Sequence, residues 1–457
     1  MKKIFYPLVA LLLTTASCKN VLDIEDLNSV NEDKVWNDPN LVNAYLANLY
    51  TLFGNWNSGA DNNSQQLAGI NFPLKAVTVN NSAYKAWDYT AMRKINTAIQ
   101  KVSESTGLND ATKKSILGQA LFMRAYMYFN MVKYHGGVPY ITKPQDLEDD
   151  ELKVPRNSTK ECFDLIVKDL DEAMTYLPMT IGKGAADYGR IDGNFALAFK
   201  AKILLYKASP QFNPSNPYGN VYWAEANTVN KKAYEQLKAQ GYSLTADYYN
   251  IALVEKGPEV IFAVINSYPN KVANWDNGVR PGSESRGTAS AVPTWDFVKE
   301  FPMKDGKLYT DPAGKYHKTD EQFLQTYWEN RDPRFDKSIV WNGKIYEVSG
   351  KTGKRQYTSL GIADALDNFG ENPKAGTTSS NRDRYTGFFI LKNSKLSLRQ
   401  TQVETQYDVD FVLMRYAEVL LNYAETANET GDLATALSLL KQIRLRAGIG
   451  PGADNSY

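Results

Sequence analysis

QALFMRAYMYFNMVKYHGGVPYI, Gln119 to Ile141, decides how this chain is built. Five aromatics and three methionines fall between Phe122 and Tyr134. Such a density suits either a ligand platform or a buried helix. The polar residues Gln119, Arg124, Asn130 and Lys133 are scattered around the helical wheel instead of gathering on one face. A helix apolar on nearly all sides is sandwiched between neighbours. Charges and amides inside the span exclude a membrane helix. The aromatics are therefore assigned to packing.

Outward from this helix, the same construction recurs. Asn109 or Asp110 is placed to cap it, and Ser82 to cap the preceding helix, where Trp87, Met92, Ile95, Ile99 and Val102 recur at helical spacing. STKECFDLIVKDLDEAMTYLP opens with a Ser158–Glu161 capping box and stops at Pro178, with Cys162 beside its stripe as a small buried hydrophobe. GRIDGNFALAFKAKILLYKASP is small and apolar enough for close helix packing, and the helix after it is closed by Gly241. Near the end, a helix, a Gly431-Asp432 turn and a second helix look like a tetratricopeptide hairpin. The last helix carries a wide apolar arc, and without a further helix packed on it Leu445, Ile449 and part of this arc are expected to face water. Stacked pairs of this kind predict a mainly α chain, an α-superhelix of helix pairs.

Residues 242 to 409 are different, being richer in Gly, Pro and Trp. EVIFAVI reads as a buried strand, SIVWNGKIYEV as a hairpin turning at Asn342-Gly343, and TGFFILKN as a third strand. The long loops between them exceed what a connector needs, and long loops in compact proteins are usually functional or mobile. A few short strands in an irregular, loop-rich portion are therefore expected.

Composition narrows the function. Of 457 residues, 43% are hydrophobic and 23% charged, an ordinary globular balance. MKKIFYPLVALLLTTASCKN reads as an export signal, because two lysines precede an apolar run too short to span a bilayer. Thr15, Ala16 and Ser17 before Cys18 resemble a bacterial lipoprotein cleavage box, with Thr15 standing where leucine is usual. Processing would make Cys18 the lipid attachment point. Without Lys2 and Lys3 the count is 50 Lys+Arg against 51 Asp+Glu, so nothing drives binding to nucleic acid. Cys162 alone cannot form an intramolecular disulfide, and His135 and His317 are the only histidines. No metal site or cofactor is expected.

Six segments together resemble the SusD/RagB family of Bacteroidetes outer-membrane lipoproteins. They are AWDYTAMRKINTAI, GQALFMRAYMYFNMVKYHGGVPYI, GRIDGNFALAFKAKILLYKAS, EVIFAV, NRDPRF and RYAEVLLNYAETANE with IRLRAG, in family order across nearly all of the mature chain. The resemblance implies a tetratricopeptide-like superhelix carrying a loop-rich portion. It implies a core role for the opening helix, ended sharply where Gly136 or Gly137 turns left-handed and Pro139 blocks continuation. His135 is then a helix-end residue, and Arg331, Asp332 and Arg334 a structural charge cluster. The implied organisation is a signal peptide over 1–17, a helical half over 18–241 and a second half over 242–457, with further helices normally following in family members. The implied function is capture of oligosaccharides, or in some members peptides, by a surface lid over a SusC-like TonB-dependent transporter, anchored to the outer membrane by lipid, facing the exterior, with no bond broken.

Sugar rings present apolar faces to Trp and Tyr while their hydroxyls need Asp, Asn and Arg. Loops outside the shared segments supply Trp56, Asp61, Asn62, Asn80, Tyr84, Trp275, Asp276 and Arg280 as candidate binding residues. Trp87 and Trp295 fall in segments resembling core positions and are left out. The rival reading is a surface glycoside hydrolase or lyase, but no motif singles out one carboxylate pair among 51 acidic residues. A helical adaptor that binds only proteins would leave the tryptophan-bearing loops unexplained.

Overall fold

A computed structural model of the chain describes residues 32–57, 66–68, 87–146, 152–285, 291–349, 352–358, 369–370 and 386–451. The signal segment, Cys18, Ser82 and the candidate residues Asp61, Asn62, Asn80 and Tyr84 lie outside the described residues.

Short polar side chains start the helices by accepting otherwise orphaned backbone N–H groups. After α1 (Glu32–Asn37), Asp38 caps α2 (Pro39–Leu49), and a 3₁₀ turn over Tyr50–Phe53 leads towards β1 (Leu67–Ala68). Asp88, and not Ser82, caps α3 (Tyr89–Glu104), and Asn109 caps α4 (Asp110–His135). The Ser158 capping box opens α5 (Thr159–Tyr176), and Asp192 caps α6 (Gly193–Ala208) before α7 (Tyr222–Ala239).

The opening stretch lies within α4, which packs between α3 and α5. Its Ala120, Leu121, Phe122, Met123 and Ala125 are all buried, as the all-round apolar wheel requires. Arg124 is buried too. Its guanidinium grips Asp169 of α5 through Nε at 2.8 Å and Nη2 at 2.6 Å, while Nη1 reaches Asn96 of α3 at 3.3 Å and Thr142 O at 3.2 Å. One charged side chain thus ties three helices and the following turn. Gly136 ends α4 with φ +68°, and a Cβ on Gly137 would lie 2.0 Å from Asn157 O. Both glycines are needed, one for its conformation and one for close approach. Cys162 is buried in the same core, its Sγ 3.5 Å from the Val138 amide.

The second half begins by entering this core. β2 (Val260–Val264) sends Phe262 onto Phe195 of α6, stacked at 4.2 Å, with Phe53 at 5.0 Å. After α8 (Trp275–Val279) the chain forms β3 (Val292–Pro293), α9 (Trp295–Glu300), α10 (Asp320–Thr326), α11 (Pro333–Ser338), β4 (Ile339–Val340) and β5 (Lys344–Ile345). There follow β6 (Arg355–Tyr357), β7 (Phe369–Gly370), β8 (Phe389–Ile390) and β9 (Phe411–Arg415), then α12 (Tyr416–Glu429) and α13 (Leu433–Arg446). The strands pair as β1 with β3, β2 with β9, β4 with β8, and β5, β6, β7 in order; all these pairs are antiparallel except β6–β7. β9 runs directly into α12, which packs on α7 and α13, so both halves share one core.

The fold is mainly α, and most of its short strands lie in the loop-rich portion, with β1 before it and β9 just after it. One expected element differs. Asn342-Gly343 does turn the chain, but its two arms do not pair with each other: β4 joins β8 and β5 joins β6. Trp295 packs in a satellite core with Phe323, Tyr327 and Phe388. There Arg331 donates to the carbonyls of Tyr327, Val298 and Phe301, and Asp332 caps α11 while pairing with Arg334. On α13, Leu433, Leu437, Leu440 and Leu445 are exposed, whereas Ile449 is buried. No helix among the described residues is long and apolar enough to cross a membrane.

Candidate functional site

Trp56 follows the 3₁₀ turn at the end of the α2 segment and is held by two hydrogen bonds. Its backbone N–H donates to Asn55 Oδ1 at 2.8 Å, and its Nε1 donates to Val409 O at 2.9 Å. Asn55 itself exchanges amide hydrogen bonds with Asn266, at 2.9 and 3.0 Å. These contacts fix the indole between the helical stack and the loops.

Trp275, the first residue of α8, packs beside it with ring centroids 5.1 Å apart and planes at 45°. Tyr407 and Phe411 present their edges to Trp56 at 6.2 and 5.2 Å. Both indoles are only partly buried. The fold thus brings together two tryptophans 219 residues apart in sequence.

Asp276 and Arg280, expected at the rim, are not there. Both side chains are 0% exposed and pair with each other one helical turn apart. Arg280 also donates to Leu398 O at 2.9 Å and Lys395 O at 2.6 Å, and Asp276 Oδ2 accepts the Lys395 amide at 3.1 Å. Burial pushes the Asp276 carboxyl up, with Arg280 opposing that shift. The pair is a buried floor to the short helix that carries Trp275 and presents no side-chain surface to solvent. Asp276 Oδ1, Arg280 Nε and Trp275 Nε1 are buried without a protein hydrogen-bond partner, so the floor is not fully satisfied. Asp410, which accepts the Asn266 amide at 2.9 Å, is pushed by burial up to about 6.

Two further exposed aromatics escaped the sequence reading. Trp87, expected in the core, is 45% exposed; it meets the His135 ring edge-on at 5.1 Å and the Arg156 guanidinium at 5.4 Å. It precedes the Asp88 cap, outside the helix whose stripe it was assigned to. Trp328 is 37% exposed and stacks on Trp341 at 5.5 Å with planes 10° apart. For Trp328 a signal was available, since Asn330 two residues on turns the chain at φ +53°. Among the described residues no three His, Cys, Asp or Glu side chains gather as a metal-binding group.

Residues 14–205 match the family model described as starch-binding and associating with the outer membrane. Residues 258–457 match the SusD family model. The chain belongs to the SusD-like family. A SusD-like protein of Formosa agariphila is 24% identical over 94% of this chain and 78% of its own length. The crystal structure of a SusD-like protein from Bacteroides fragilis superposes with TM-score 0.72 at 25% identity, covering 93% of this chain and 81% of that one. Surface glycan-binding protein A of Bacteroides thetaiotaomicron, solved with laminarihexaose, shares the fold at TM-score 0.60 and 19% identity over 91% of this chain and 85% of that one.

Proposed function

We propose that this SusD-like chain is a non-catalytic cell-surface lipoprotein that captures oligosaccharides and closes as a lid over a SusC-like TonB-dependent transporter. Cys18 carries the lipid that anchors it to the outer membrane, with the binding face towards the exterior. The signal occupies 1–17, and 18–241 and 242–457 act as the two halves of the binding protein.

The observation that carries this reading is the Trp56–Trp275 pair, two partly exposed indoles rigidly seated at the junction of helices and loops. Indole faces match the apolar CH face of a pyranose, and a stacked contact contributes on the order of 1 kcal/mol. A fixed pair loses little rotamer entropy on binding. Asp61, Asn62, Asn80 and Tyr84, outside the described residues, are proposed as further hydroxyl and ring partners. The starch-binding description of the matched family and the glycan held by a protein of the same fold support the ligand class.

Affinity electrophoresis in gels containing neutral polysaccharides tests the reading, with chromatography of the same mixtures for released sugars. The wild type is expected to be retarded without releasing products, and Trp56→Ala and Trp275→Ala to lose about tenfold in affinity. Released oligosaccharides, or retardation unchanged in both variants, would contradict it.

A further inference from the structure

A hollow of about 250 Å³ opens beside the residues that seat the two indoles. Its walls combine the apolar Leu253, Leu396 and Val409 with the charged Glu255, Lys395 and Asp408. Val409 belongs to the small core against which Leu253, Trp56 and Trp275 pack. Lys395 Nζ donates to Asp408 Oδ1 at 2.5 Å, and the two side chains are 33% and 21% exposed. Among the described residues, neither the other two ammonium hydrogens nor Asp408 Oδ2 has a hydrogen-bond partner.

Both members of this pair stand on backbone that the indole seat holds. The Lys395 amide donates to Asp276 Oδ2 at 3.1 Å, and its carbonyl accepts from Arg280 Nη2 at 2.6 Å. The buried ion pair of α8, the helix that carries Trp275, thus grips Lys395 at both its backbone polar groups. On one side of Asp408, the Tyr407 carbonyl accepts the Ala273 amide at 2.8 Å, and the Tyr407 hydroxyl donates to Asn393 O at 2.7 Å. On the other, the Val409 carbonyl accepts from Trp56 Nε1 at 2.9 Å and from Asn266 Nδ2 at 2.8 Å. A partly exposed ion pair adds little to stability, so what this framework secures is chiefly the position of the two charges. A ligand meeting the pair finds it already placed, and little ordering is left to offset binding.

We propose that this hollow is the hydroxyl-binding half of the glycan site and takes one neutral sugar residue, a vicinal diol of which bridges Lys395 and Asp408, while an adjoining residue of the same chain stacks on Trp56. One hydroxyl of such a diol donates to Asp408 Oδ2, and the neighbouring oxygen accepts from the Lys395 ammonium. Each is a charge-assisted hydrogen bond. Glu255 offers a further acceptor, and the leucines and Val409 suit the CH groups of the ring. Two carboxylates against one ammonium disfavour a uronate or a sulfated ring. Lys256, next to Glu255, is not among the walls and lies 5.0 Å from the centre of the Tyr188 ring. The inference rests on the glycan-binding reading and adds to it a neutral ligand class and the residues that select it.

The test is affinity electrophoresis in amylopectin, laminarin, galactomannan and polygalacturonate, with the melting curve of every variant recorded. Wild type, Asp408→Ala, Lys395→Met, Glu255→Gln and Trp56→Ala are compared. At least one neutral polymer should retard the wild type more strongly than polygalacturonate does. Asp408→Ala and Lys395→Met should each weaken that retardation about tenfold, as loss of one charge-assisted hydrogen bond would, while melting near the wild-type temperature. Glu255 is exposed, so Glu255→Gln, expected to bind more weakly than wild type, keeps the test valid should the others unfold. Retardation weakened in Trp56→Ala but in none of the three hollow variants would overturn the subsite and leave glycan binding standing. Weakening found only in hollow variants that also melt lower would assign the pair to folding and overturn it as well. Polygalacturonate bound more tightly than every neutral polymer would overturn the neutral class. No retardation by any polymer would sink both readings.

Discussion

Replacing Arg280 with Met separates a structural role from a ligand-binding one. Arg280 is fully buried and its guanidinium serves Asp276, Leu398 O and Lys395 O together. Methionine fills much of the aliphatic volume, so the cavity left is small and the electrostatic loss dominates. Removing one partner of a buried ion pair costs about 3–5 kcal/mol, because the other charge stays behind in a dry site. Asp276 is already raised by burial with Arg280 present, and without it the carboxyl must rise further. A carboxyl raised on folding disfavours the folded state most above its folded pKa, so the variant's deficit should shrink as pH falls towards the unfolded value near about 4. Urea unfolding at pH 7 and pH 5, with glycan affinity measured where the variant is folded, reads both quantities. The double variant Asp276→Leu/Arg280→Met should recover most of the stability, since an apolar pair of similar volume removes the stranded charge. A loss below about 1 kcal/mol with a tenfold drop in affinity would refute the reasoning and return Arg280 to the rim.

Gly137→Ala should destabilise more than Gly136→Ala, because its Cβ meets Asn157 O at 2.0 Å whereas Gly136 asks mainly for a left-handed backbone. Urea midpoints should show roughly 1–2 kcal/mol for Gly136→Ala and a larger loss for Gly137→Ala; the reverse order would contradict the packing described at the end of α4. Asp192 is pushed by burial up to about 6 although it caps α6, so wild-type stability from this group rises as pH falls from about 6 to about 4. Asp192→Asn keeps the oxygen that accepts the Phe195 amide but turns a donor towards the Ile181 amide, so the prediction is the trend: its stability relative to wild type should fall as pH drops from 7.5 to 4.5. A gap independent of pH would rule this out. Cys18→Ala should leave the membrane fraction on cell fractionation, and retention there would refute the lipid anchor.

The helical framework could be read because its signals are local. The all-round apolar wheel of α4, the Ser158 capping box and the HGGVP stop each depend on residues within a few positions of one another. The loop-rich portion depends on distant partners. Ile339–Val340 had an obvious neighbour across Asn342-Gly343, yet its hydrogen bonds go to Phe389–Ile390, about fifty residues away. Nothing in either segment alone encodes that choice. At the candidate site, Trp56 and Trp275 were found by residue type, but their meeting depends on the Asn55–Asn266 clasp. Asp276 and Arg280 were misplaced although their i,i+4 spacing is that of an intrahelical ion pair. WDNGVR read as a polar loop because a one-turn helix leaves almost no periodic trace. Trp87 fell to a boundary shift, with α3 starting at Tyr89 and leaving the indole outside.

The central claim is that ligand settles on the Trp56–Trp275 face, and hydrogen–deuterium exchange with and without a saturating oligosaccharide tests it most directly. Slower exchange is predicted in peptides covering residues 52–57, 266–280 and 405–412, with α4 and α5 unchanged. Protection confined to other segments, with these peptides exchanging as in the free protein, would contradict it.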